Sequence, residues 1–136
     1  MDYEKIKTVE DAASAIGVPL LTEEEHGNLL GLRKSMARNN YLHYLLTIVC
    51  RAINGEWEPD WYSEEYVGQI MYYMPGRQGL APISSRCGLG YLRNSCGPVG
   101  TAESCGMSLS LKDYDRCRYV IEQFGDLWIE YLTGIK

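Results

Sequence analysis

The sequence predicts an α+β fold: a helical N-terminal half, a small antiparallel sheet of three short strands, and a long C-terminal amphipathic helix packed on that sheet. Three observations carry this reading. Apolar residues recur at three- and four-residue steps through 29–53 and again through 117–132, the spacing of one helix face. From Tyr66 to Ala102 that spacing vanishes while glycine and turn residues accumulate, as short strands joined by turns require. No domain boundary or low-complexity tract divides the 136 residues, so 1–136 reads as a single domain, long enough to bury its own core.

Taken in order, Thr8 opens the first helix. Its hydroxyl can cap, Glu10 and Asp11 lie in the first turn where acids suit the helix dipole, and Val9, Ala12, Ala13 and Ile16 share one face. Gly17 stops it and Pro19 keeps it stopped. Thr22 and Glu25 then form a capping box. The segment that follows runs to Gly55 as one kinked helix or two, interrupted at Asn39-Asn40, with its stronger part from Tyr41 to Asn54.

Trp57-Glu58-Pro59-Asp60-Trp61 makes the corner. Pro59 forbids helix continuation. The two indoles are expected to fill gaps between the central helix, the sheet and the last helix, because large rings gain most from burial. Ile70–Met74, Leu89–Leu92 and the alternating Met107-Ser108-Leu109-Ser110-Leu111 read as the three strands. Asp113 caps the final helix, whose inner face carries Cys117, Val120, Ile121, Phe124, Leu127, Trp128, Tyr131 and Leu132 before Gly134 ends it. Trp57, Trp61, Phe124 and Trp128 are the expected structural anchors.

The net charge of −5 argues against broad binding to nucleic acid or anionic membranes, which needs a positive field. Met1-Asp2-Tyr3-Glu4-Lys5 has no apolar signal region. The longest apolar run, near Leu45 to Cys50, falls far short of a bilayer span. Five cysteines are an odd count that suits reduced thiols. Together these features predict a cytoplasmic protein without membrane association.

Arg51-Ala52-Ile53-Asn54-Gly55-Glu56-Trp57-Glu58-Pro59-Asp60-Trp61 resembles a segment of small uncharacterised proteins of gut Bacteroidales and their phages or prophages. In that family a helix ends in an Asn-x-x-Trp-x-Pro-Asp-Trp type motif, followed by a tyrosine-rich strand, a Gly-rich hairpin, a strand and a closing helix. Gln123-Phe124-Gly125-Asp126-Leu127-Trp128 resembles the Gln-Phe-x-Asp-Leu core of that closing helix, and Val9-Glu10-Asp11-Ala12-Ala13 with Ile16-Gly17 resembles its opening helix. The chain departs from the family at Tyr72-Tyr73-Met74-Pro75-Gly76, where the family carries Tyr-Tyr-Pro-Trp-Phe. The resemblance implies a fold and a mobile-element context, and no activity.

Chemistry-bearing residues are sparse. His26 falls in an acidic first turn that should face solvent, and His43 lies in the central helix near Tyr44. Neither belongs to a nucleophile motif. Gly88-Leu89-Gly90 lacks the third glycine of a dinucleotide loop. Cys87, Cys96 and Cys105 repeat at nine-residue steps and could bring thiolates to a zinc ion, although structural zinc sites pair their ligands two to four residues apart. Cys117 reads as a small apolar packing residue.

Between Tyr66 and Ala102 the only charged residues are Arg77, Arg86 and Arg93, accompanied by Tyr72, Tyr73 and Tyr91. Arginine interleaved with tyrosine on a sheet can stack on bases and hold phosphates; it can equally dock an acidic protein surface or a second copy. The reading that follows is a non-enzymatic accessory protein without cofactor, acting by protein contact or self-association through exposed tyrosines and a free sheet edge. Weak nucleic-acid binding through the arginines and tyrosines is the first alternative. A zinc or thiol site at the three cysteines is the second.

Overall fold

The computed structural model describes residues 2–58, 66–72, 81–82, 89–95 and 107–134. Three of its four described α-helices begin where a side chain can accept the free N–H groups of the first turn. Thr8 Oγ1 accepts from Asp11 N at 3.1 Å while Asp11 Oδ2 accepts from Thr8 N at 3.2 Å, so α1 (Val9–Ile16) opens with a complete capping box. α2 (Glu23–Leu30) repeats the device with Thr22 and Glu25. α3 (Lys34–Asn54) starts at Arg33 with no side-chain cap.

Gly31 separates α2 from α3. Its φ of +63° and ψ of +32° are left-handed, a conformation glycine adopts without a Cβ clash. Its N–H donates to Asn28 O, and the Leu32 N–H reaches Gly27 O. The break in the helical segment therefore lies at 31–33 and not at Asn39-Asn40. Asn40 sits inside α3, where its amide donates to Met36 O at 3.2 Å. The short turn folds α2 back along α3, and a Cβ placed on Gly27 would stand 3.6 Å from Ala37 Cβ, so the two helices touch closely there.

Beyond the corner, β1 (Tyr66–Tyr72) pairs antiparallel with β3 (Leu89–Ser95) in a register running from Tyr66↔Ser95 to Tyr72↔Leu89. β2 (Ala81–Pro82) adds a two-residue fringe on the far side of β3. Val67, Gly68, Gln69 and Ile70 are buried in succession, so both faces of β1 are covered. α4 (Tyr114–Thr133) opens on Asp113, whose Oδ1 accepts from Arg116 N at 2.9 Å. It packs against α3, β1 and β3 and bends at Phe124 (φ −122°, ψ 16°), just before the buried Gly125.

The core gathers Ala12 and Ala13 from α1, Leu46, Val49 and Ile53 from α3, Ile70 and Leu89 from the strands, and Val120, Ile121 and Trp128 from α4. Among the described residues Trp128 is the largest side chain wholly removed from water. Burial of each large apolar side chain contributes about 1.5–3 kcal/mol. The N-terminal segment is tied to α4. Tyr119 OH reaches Ile6 O at 2.7 Å and Glu4 O at 3.0 Å, and Gln123 Nε2 donates to Lys7 O at 3.1 Å.

The predicted α+β class is overturned. The described residues are mostly helical: α-helices of 8, 8, 21 and 20 residues stand against strands of 7, 2 and 7. The expected third strand at 107–111 is not one. Met107–Leu109 is a 3-10 turn, and only Leu111 bridges Gly68, through N–O contacts of 2.7 and 2.8 Å. The alternation misleads because Ser110 does not face water. It is buried between Leu109 and Leu111, and its hydroxyl accepts from the buried Gln69 amide at 3.2 Å.

Candidate functional site

The α2–α3 hairpin is fixed from below by a set of polar ties. Arg38, on α3, donates to both carboxylate oxygens of Glu130 on α4, Nε to Oε2 at 2.7 Å and Nη2 to Oε1 at 2.8 Å. Its Nη1 donates to Glu23 of α2 at 2.5 Å. One guanidinium thus joins three helices with the parallel geometry that suits a carboxylate best. The Glu130 hydrogen bonds, with Glu23 behind them, raise the already high pKa of Arg38. Asn39 Nδ2 adds a bond to Tyr131 O at 3.2 Å.

Two tyrosines fix the linker that leads into α2. Tyr41 OH donates to Leu21 O at 2.9 Å, and Tyr44 OH accepts from Leu21 N at 3.0 Å and donates to Pro19 O at 3.3 Å. Burial raises the Tyr41 pKa above its usual value, which keeps the hydroxyl a donor. His26 lies over this pair, stacked on Tyr44 with ring centroids 4.7 Å apart, and is buried. The expectation that it faces solvent is corrected. α2 lays the imidazole onto α3, and its Nδ1 meets no hydrogen-bond partner among the described residues.

Above these ties the hairpin tip is apolar and open. Leu29 is 74% exposed, Leu30 53% and Met36 54%. Charges rim them: Glu24 and Glu25 in the first turn of α2, and Arg33 and Lys34 just past Gly31, are all exposed. Sequence periodicity assigns Leu29 and Met36 to the inner face of a continuous helix. The break at Gly31 resets the helical phase and leaves them outside.

A concavity of about 620 Å³ opens at the C-terminal end of α3, where Ile16, Asn54, Glu56, Trp57, Lys112 and Arg116 line it. Trp57 is half-buried on its wall and is not part of the core. It thus departs from the gap-filling role expected of it. Arg116 is committed elsewhere. It pairs with Asp113 at 2.6 Å, donates to Ile53 O at 3.2 Å and lies 4.9 Å from the Tyr3 ring centroid. Asn54 is likewise structural, donating to Ser110 O at 2.9 Å and accepting from Lys112 N at 3.0 Å. The described lining contains no serine, cysteine or histidine.

The remaining sequence-derived residues divide clearly. Phe124 and Trp128 are buried in the core. Trp61, Tyr73, Arg77, Arg86, Cys87, Cys96 and Cys105 lie outside the described residues. Tyr72, Tyr91 and Arg93 are placed only by backbone register, opposite Leu89, Ile70 and Gly68. Cys50 and Cys117 are buried thiols, and burial, with Cys50 nearby, pushes the Cys117 pKa well up. A thiol so held stays protonated and inert. His43 is half-buried, and that burial lowers its pKa.

Among the described residues no group of three potential ligands could hold a metal ion, and no helix is long and apolar enough to cross a membrane. No family model, no curated protein and no solved structure matches the chain.

Proposed function

We propose that this chain is a non-enzymatic accessory protein of phage or mobile-element type that acts by contact with another protein. One observation carries the reading: Leu29, Leu30 and Met36 stand in water at the turn of one hairpin. Exposed apolar side chains gathered in one place and rimmed by charge are characteristic of contact surfaces. Covering each would contribute about 1.5–3 kcal/mol. The Arg38 and tyrosine ties beneath supply a preorganised base, so little ordering cost opposes docking. The tyrosine-rich sheet edge expected from the sequence lies outside the described side chains, and the helical tip takes its place as the working surface. The mobile-element context rests on the resemblance of residues 51–61 and 123–128.

A photo-crosslinking residue at position 29 or 36, introduced in the cell of origin, tests this. One discrete adduct heavier than the chain is expected from either position, and none from the exposed Arg118 on α4. Absence of any adduct from 29, 30 or 36 would overturn the reading.

A further inference from the structure

We infer that the partner of the hairpin tip is a second copy of this chain, docked antiparallel across Leu29. The inference rests on the protein-contact reading above and names its occupant. Its basis is the order of charges along the hairpin. Glu24 and Glu25 lie about one helical turn before Leu29, and Arg33 and Lys34 follow it by four and five residues. Glu25, Leu29 and Arg33 therefore follow one another along the hairpin, acid before the apolar centre and base at the turn beyond it.

A two-fold axis near Leu29 sets the acids of each copy against the bases of the other and closes the apolar side chains between them. This is the self-complementary arrangement that an isologous interface requires. Parallel docking would set acid on acid and base on base. Among the described residues Glu24, Arg33 and Lys34 have no ion-pair partner. Glu23 is already held by Arg38, and one oxygen of Glu25 by Thr22 N. The eight residues of α2 span about 12 Å, beyond the screening length of about 8 Å at physiological ionic strength. A docked copy brings the two clusters into range.

Sedimentation equilibrium over a wide concentration range reads the consequence. The native chain is expected to dimerise, more tightly at low salt. Leu29→Glu, Glu24→Lys, and the pair Arg33→Glu with Lys34→Glu should each weaken the dimer by at least about tenfold. An equimolar mixture of the Glu24→Lys chain and the Arg33→Glu/Lys34→Glu chain should restore it as a heterodimer, because both symmetry-related contacts become attractive again. That recovery also shows both variants to be folded. A native chain that stays monomeric throughout, or a dimer indifferent to these changes, overturns the inference. The adduct mass from position 29 separates the two levels. A mass other than twice the chain removes the second copy and leaves protein contact standing, whereas no adduct removes both.

Discussion

α3 runs through two contrasting environments. From Leu42 to Asn54 nine of its side chains are buried, and Asn54 closes the element with bonds to Ser110 O and Lys112 N. From Lys34 to Met36 it faces water, and Arg33 supplies no cap. The helix is thus anchored at one end and presents its side chains at the other. The free energy that holds it comes from the buried end. The exposed end can therefore carry residues chosen for contact with little effect on the fold.

Mutations at the two ends should differ accordingly. Leu46→Ala, at a fully buried position, should cost about 2–5 kcal/mol, read by urea unfolding. Asn54→Ala leaves a buried carbonyl and an amide without their partner and should cost about 1–3 kcal/mol in the same assay. Thr22→Ala removes the cap of α2 and should cost about 1 kcal/mol, with loss of helical circular dichroism. Gly27→Ala should move the other way. The added Cβ meets Ala37 Cβ at an ordinary 3.6 Å, so the hairpin should gain about 0.5–1 kcal/mol. Met36→Ala should lie within about 0.5 kcal/mol of the native chain. If Met36→Ala matched Leu46→Ala in cost, the contrast between the two ends would collapse.

The hairpin also carries a pH signature. Hydrogen bonds from the Thr22 backbone and hydroxyl hold the Glu25 carboxyl below its ordinary value of 4.5. A carboxylate with a depressed folded-state pKa stabilises the fold above its unfolded value. That contribution is lost as pH falls through the lower folded value. Acid titration of the native chain should therefore show a loss of stability beginning below about pH 4.5, and Thr22→Ala should flatten that limb.

Much of the helical frame is legible in the sequence because its punctuation is chemical. Thr8, Thr22 and Asp113 are side chains that can accept a backbone N–H, and Gly17, Gly55 and Gly134 stand where the helices stop. The misreadings share a cause: short periodicity reports burial and does not say what buries it. Leu29 and Met36 fit an inner stripe until Gly31 resets the phase. Ser110 looks like the wet side of a strand until Gln69 reaches it across the core. Trp57 looks like a core ring, yet it stands on a cleft wall. His26 sits in an acidic first turn, and only the fold-back of α2 lays it onto Tyr44. The apolar tip could have been found by treating Gly31 as a stop, since Leu29-Leu30 just before a helix-ending glycine has no turn left to bury it.

The ties from Tyr119 and Gln123 to the backbone of Glu4, Ile6 and Lys7 join residues 113 to 116 positions apart in the chain. Closing so long a loop is among the last steps a nascent chain can take. During synthesis the opening segment therefore lacks these ties until the last helix leaves the ribosome. A ribosome-stalled intermediate halted before Tyr119 should leave residues 3–7 open to proteases that spare them in the finished protein.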